Sequence, residues 1–179
     1  MQSWVNDIID HYYPETEVPE LRRILLVHSK AVAEKALEIC RNHPELKADE
    51  QFVYDAAMLH DIGIIRCNAP SIHCHGTADY LKHGPMGAEM LAEASKADWC
   101  AIQDTEKYQR VCARHTGTGL PGLEPDTIEE KIVCYADKFF SKTRLEHEKT
   151  VEEAIHSLEK FGQHGVEIFK EWNEKFREK

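Results

Sequence analysis

The sequence predicts an all-α bundle of roughly six to eight helices around a central polar site. Three observations carry this. Apolar residues recur at helical spacing through most of the 179 residues, which marks helices with one buried face. No segment alternates apolar and polar residues as a half-buried strand does. Pro, Gly and Asp fall where helix ends are expected. The length suits one core, and no repeat, low-complexity tract or linker divides it. Residues 1–179 therefore read as a single domain, with a motif-bearing part over about 20–142 and a helical extension over about 150–179.

The elements follow in order. A short helix covers residues 3–12. The next opens near Pro19, a favourable first-turn residue, and runs to about Arg41 with Leu21, Leu25, His28, Val32, Ala36 and Ile39 on one face. A third starts behind Asp49 as N-cap, carries Phe52, Val53, Ala56, Ala57 and His60, and is closed by Gly63. Residues 64–82 carry Pro, Gly, Asn, Ser and Thr and read as a long loop, of the length that tends to be functional. A helix over 85–96 turns Met86, Met90, Leu91 and Ala94 inward. Another over 104–114 has Tyr108, Val111 and Cys112 inward, with His115 at its end. Gly117, Gly119, Pro121 and Gly122 make a turn-rich loop. Asp126 and Glu129 resemble a capping box opening a helix through Phe140, with Ile132, Val133, Ala136, Asp137 and Phe140 on its stripe. The tail from Thr150 is one or two amphipathic helices, broken near Gly162–Gly165. Its apolar face offers a surface for homodimer formation.

Composition narrows the function. The net charge of −10 argues against a duplex nucleic-acid partner, which wants a basic surface. A nucleotide stays open, because a bound metal supplies local positive charge. No run approaches the roughly 20 apolar residues of a spanning helix, and the acidic N-terminus lacks the basic region of a signal peptide. The six cysteines are dispersed without paired spacing, as expected for reduced thiols in a cytoplasmic protein.

The chemistry lies in His28, His60, Asp61, His83, His115 and Asp137. Of these, His28, His60, His115 and Asp137 fall on apolar helix stripes, where an unsatisfied imidazole or carboxylate is costly. Four helices each turning one such group inward describe a metal centre. Imidazole with carboxylate suits Fe, Mn, Zn or Co better than Ca or Mg. A carboxylate such as Asp61 can bridge two ions, and two ions about 3.5–4 Å apart activate water and clamp a phosphoryl group. By contrast, Cys67, His73, Cys74 and His75 match no common zinc spacing. That loop reads instead as a pocket wall, with His73, His75 and Tyr80 near a substrate and residues 116–125 across the mouth. His11, His43, His147, His156 and His164 lie in polar contexts and read as surface.

The ordered pattern His28, His60-Asp61, Asp137, set in HSKAVAEKALEI, AAMLHDIG and YADKF, resembles the HD-domain metal-dependent phosphohydrolases over about two thirds of the chain. His83 in HGPMGAEML and His115 in ARHTG resemble the extra ligands of its two-metal subset, similar to the HD-type dinucleoside tetraphosphate hydrolases. The resemblance implies an HD-domain bundle with one ion on His28, His60, Asp61 and Asp137. A second ion would sit on His83 and His115, with Asp61 bridging as the central catalytic residue. Iron is the first expectation, with Mn, Zn, Co or Ni as alternatives. The implied activity is hydrolysis of a phosphoester or phosphoanhydride in a small phosphorylated metabolite or nucleotide by metal-activated hydroxide. The lysine that often follows His-Asp-Ile-Gly in the family is replaced by Ile64 here, and the next cation is Arg66. Arg66, Lys82, Lys138 and Lys142, with His73 and His75, are the candidates for substrate contact; Arg114 and Arg144 are further cations within reach. Two other classes stay open: a diiron oxygenase cleaving a C–C or C–P bond, and a non-catalytic metal or nucleotide sensor.

Overall fold

The computed structural model describes residues 1–117 and 122–177. Its helices are α1 (Ser3–Tyr12), α2 (Pro19–Asn42), α3 (Glu50–Leu59), α4 (His83–Ala94), α5 (Thr105–Arg114), α6 (Ile128–Asp137), α7 (Val151–Glu159) and α8 (Gln163–Phe176). The all-α reading holds. The predicted stripe of α2 is buried along its length, from Leu21 through His28 to Ile39. Asp49 caps α3 by accepting the Phe52 N–H at 3.0 Å, which satisfies one of the donors a helix start leaves open.

The long α2 lies against α3 and α6, while α4 packs on α5 and on the 3-10 turn Ile62–Arg66. Helices α7 and α8 form a hairpin whose second arm rests on α6. Val166, Phe169, Trp172 and Phe176 bury that arm, with Phe169 stacked on Tyr135 at 5.1 Å between ring centroids. Each such side chain contributes about 2 kcal/mol through the apolar area removed from water. Thr150 starts the hairpin with a full capping box, its hydroxyl and the Glu153 carboxylate each satisfying the other residue's backbone N–H.

Several expectations are corrected. Gly63 does not close α3, which ends at Leu59; it sits inside the following 3-10 turn. A Cβ on Gly63 would lie 2.1 Å from the His83 carbonyl oxygen and 2.4 Å from the Gly87 nitrogen. Its lack of a side chain lets α4 approach. Residues 64–82 are not a plain loop: they hold 3-10 turns and a small antiparallel ribbon, β1 (Asn68–Ala69) with β2 (Cys74–His75). The helix expected over 85–96 spans His83–Ala94, so His83 heads it. The cap of α6 is Thr127, which accepts the Glu130 N–H, one residue later than expected, and α6 ends at Asp137 rather than Phe140. His43 is buried, held by Glu45 at 3.1 Å and the Arg177 carbonyl at 3.0 Å. Gly119 and Pro121 of the expected turn-rich loop lie outside the described residues.

Candidate metal centre

Five segments deliver the six polar residues to one point. His28 comes from the middle of α2, His60-Asp61 from the chain just past α3, His83 from the start of α4, His115 from just past α5, and Asp137 from the last residue of α6. The turn that holds Asp61 is pinned by Tyr13, fully buried, whose hydroxyl donates to the Ile62 carbonyl at 2.6 Å and accepts the Ile65 N–H at 3.1 Å. Cys112 ties α5 to the end of α3, its thiol donating to the Leu59 carbonyl at 3.0 Å. Burial pushes that thiol's pKa up, so it stays a neutral donor.

Two groups of potential ligand atoms form, each with its atoms within 4.8 Å of one another: His28, His60, Asp61 and Asp137, and then Asp61, His83 and His115. Asp61 belongs to both and divides its oxygens between them. Nε2 of His28 and of His60 approach its Oδ2 at 3.0 and 3.1 Å. The same two nitrogens approach Asp137 Oδ1 at 3.1 and 3.4 Å. Nε2 of His83 and of His115 each approach Asp61 Oδ1 at 3.3 Å.

The second ring nitrogens fix the tautomers. Nδ1 of His60 donates to the Ala57 carbonyl, Nδ1 of His83 to Tyr80 and Nδ1 of His115 to Cys112, at 2.6, 2.5 and 2.7 Å. A carbonyl can only accept, so each Nδ1 carries the hydrogen, and in the neutral ring, the form that ligates, Nε2 points its lone pair inward. Nε2 of His83 and of His115 then face one another across 2.9 Å. Two lone pairs at that distance repel unless a cation lies between them. His60 Nε2 and Asp61 Oδ1 are buried without a hydrogen-bond partner. Orphaned lone pairs of this kind are what divalent ions satisfy, and the N/O set suits first-row transition metals.

Electrostatics points the same way. Burial opposes ionisation of Asp61, but His60 and Lys142 overcome it and hold its carboxyl well below the usual range. Burial likewise opposes the charge on Asp137, and Lys138 and His28 overcome it. Burial alone would lower His60, yet the carboxylates of Asp61 and Asp137 raise it to about 9. The two carboxylates draw positive charge to this point. Burial lowers His115 to about 3, which keeps its imidazole neutral, the form that ligates.

A cavity of about 240 Å³ opens beside the centre. His83, His115 and Asp137 lie on its floor, and Lys138, Lys142, Lys149 and Lys160 line it. Lys138 Nζ sits 3.1 Å from Asp137 Oδ2 and donates to the His115 carbonyl at 3.0 Å. Lys142 Nζ sits 2.6 Å from Asp61 Oδ2. Of the candidate substrate contacts, these two are at the centre. Arg66 is engaged by Glu93 at 2.5 Å and by Glu89 at 3.9 Å. His73 and His75 of the expected pocket wall are exposed; His73 borders a different, open depression with Arg23 and Arg144. Lys82 is exposed on the turn before His83. Arg114 pairs with the buried Glu130 at 3.8 Å. Among the described residues the mouth is built from Tyr80, Leu81 and Thr116 and from α7 and its flanks; residues 118–121 of the expected rim lie outside the described residues. Lys149, Lys160 and Phe161 were not singled out in the sequence: Lys160 and Phe161 read only as parts of an amphipathic tail, and Lys149 lies just before it.

The family model for the HD domain matches residues 25–142. The chain is 31% identical over 148 residues to a protein of uncharacterised function from Methanocaldococcus jannaschii, a match covering 74% of each. It is 28% identical over 134 residues to a tRNA (cytidine(56)-2'-O)-methyltransferase from Picrophilus torridus, covering 68% of this chain and 33% of that protein. A methyltransferase of the same name from Thermoplasma volcanium is 31% identical over 119 residues, covering 65% and 32%. The chain thus spans about a third of the length of these two relatives. No helix among the described residues is long and apolar enough to cross a membrane.

Proposed function

Because this chain belongs to the HD domain family, we propose that it is a cytoplasmic metal-dependent phosphohydrolase, holding two divalent ions, iron first, and acting on a phosphoester or phosphoanhydride of a small metabolite. One observation carries the reading: the cavity whose floor is the His/Asp centre is lined by four lysines, in a chain whose net charge is −10. Cationic walls concentrated at one point of an acidic protein suit a phosphorylated substrate.

The roles follow from position. His28, His60, Asp61 and Asp137 would hold one ion, and Asp61, His83 and His115 the other. Bound there, the ions supply Lewis-acid polarisation of a phosphoryl oxygen and a water whose pKa lies near about 7. Asp61 contributes one oxygen to each group and so sets their separation. Lys138 and Lys142, already beside the two carboxylates, neutralise charge that builds on the phosphoryl oxygens. Phe140 and Leu158 in the cavity wall limit water around the reacting group, which strengthens each of these contacts. The methyl transfer named for two relatives is not carried over, since the shared segment is about a third of each.

The test is elemental analysis of anaerobically purified protein, followed by colorimetric phosphate release from a phosphoester panel, with oxygen uptake by the reduced iron form in parallel. The expected result is phosphate release without oxygen consumption, with Asp61→Ala losing metal and turnover together. Full turnover in that variant, or oxygen consumption without phosphate, overturns the reading.

A further inference from the structure

The family match ends at residue 142, yet part of the cavity wall comes from beyond it: Lys149, Ala154, Ser157, Leu158, Lys160 and Phe161. This wall has three features that the hydrolytic centre does not require. Lys149 is half-buried with only the Lys138 carbonyl, at 3.4 Å, as a hydrogen-bond acceptor for its ammonium. Among the described residues no carboxylate lies within ion-pair distance of Lys149 or of Lys160. A partly desolvated ammonium without a counter-ion is costly, and burial accordingly lowers the Lys149 pKa.

The third feature is apolar. Leu81 is 47% exposed and Phe161 57% exposed, and both line this cavity. They are two of five large hydrophobic side chains left exposed among the described residues, and scattered exposure alone does not bring two of them to the rim of one pocket. Lys160 Nζ lies over the Phe161 ring, 4.9 Å from its centroid, so one face of the ring carries a cation. Phe161 is followed by Gly162 at φ 105°, where the chain leaves α7 and turns into α8.

We propose that Lys149, Lys160 and Phe161 are the specificity residues of this cavity. They take a substrate with a second anionic group next to the phosphoryl held at Lys138 and Lys142, as Lys149 Nζ lies against the Lys138 backbone, and a flat aromatic body laid against Phe161. This rests on the phosphohydrolase reading for the identity of the first anion, but not for the second anion or the ring. The probes that separate these elements are ribose 5-phosphate, with one phosphate and no ring, AMP, with a ring and one phosphate, and ADP, with both.

The experiment is calorimetric titration of the three probes into the metal-loaded chain, together with kcat/KM for phosphate release where release occurs. Affinity is expected to rise from ribose 5-phosphate to AMP to ADP. The double variant Lys149→Gln, Lys160→Gln should cut the ADP-over-AMP preference about tenfold, the loss of charge-assisted contacts. Phe161→Ala should cut the AMP-over-ribose 5-phosphate preference severalfold, the loss of a stacking surface. Lys170→Gln, an exposed lysine on α8 outside the cavity, should change neither ratio. If none of the probes releases phosphate while these binding preferences hold, the hydrolase reading fails and the specificity assignment stands. Phosphate release with preferences that the variants leave unmoved, or no binding by any probe, overturns the assignment.

Discussion

Asp61 turns one carboxylate oxygen to His28 and His60 and the other to His83 and His115, so the metal count should respond unequally to single substitutions. Replacing His83 or His115 by Ala removes one of three ligands from one group and leaves the other group whole. On the two-ion proposal, each variant should keep close to one metal equivalent per chain against two for the native protein. His28→Ala weakens the other group in the same way, while Asp61→Ala should lose both ions, because among the described residues no other side chain spans the two groups. Elemental analysis after gel filtration in metal-free buffer reads these counts. Two equivalents retained by both His83→Ala and His115→Ala would show that the second group holds no ion. Much of this residue-level picture was legible: a histidine or aspartate on an apolar helix stripe is conspicuous, because the helical period marks its neighbours as buried. Lys138 and Lys142 were legible beside the ligand Asp137, but Lys149 and Lys160 of the cavity wall were not. A lysine on an amphipathic tail has the same sequence context whether it faces bulk solvent or a pocket, and only the fold of the tail decides.

Helix α4 can approach the Asp61 turn only because two backbones meet without side chains between them. A Cβ on Gly63 would sit 2.4 Å from the Gly87 nitrogen, and one on Gly87 would sit 3.2 Å from the Gly63 nitrogen. Gly63→Ala must therefore push α4 away from the turn, an overpacking cost of about 2–3 kcal/mol. His83 heads α4 and Asp61 lies two residues before Gly63, so the same displacement separates the second ligand group. Chemical denaturation should show a lower midpoint with unchanged slope, and metal analysis a deficit larger than the deficit of any equally destabilised variant remote from the centre. Normal stability in Gly63→Ala would mean that the turn and α4 are not in this contact. The sequence suggested a helix stop at Gly63 because a glycine's local meaning is termination, whereas its contact here is with residues twenty and more positions away. The α6 cap slipped by one residue for a local reason: Asp126 and Thr127 both cap well, and Glu129 and Glu130 both suit the third position. His43 was misplaced because its partner carbonyl belongs to Arg177, at the other end of the chain. Helix existence and the inward stripe were legible from periodicity; what depends on distant pairs was not.

Five segments of the chain converge on the His/Asp centre and deliver four imidazoles and two carboxylates to it. Their side chains leave lone pairs and negative charge for a cation to satisfy: two imidazole nitrogens face one another across 2.9 Å, Asp61 Oδ1 is buried without a hydrogen-bond partner, and lysine ammoniums are drawn onto Asp61 and Asp137. Ions that satisfy these groups bind the folded chain and not the unfolded one, because the unfolded chain never gathers the six residues. Binding therefore adds to stability by mass action, about 4 kcal/mol for one ion when its free concentration is a thousand times its Kd. For a chain of this size about 1 kcal/mol moves Tm by roughly 2–4 °C, so one tightly held ion should raise Tm on the order of 10 °C. Calorimetry of the chain stripped with a chelator, then reloaded with each candidate metal, measures the effect and ranks the metals without any assay of turnover. Asp61→Ala supplies the control: it should melt at one temperature whether or not metal is added. A native chain whose Tm ignores both chelator and metal would mean that the convergence of these five segments is held by the protein alone, and the metal reading of the centre would fall with it.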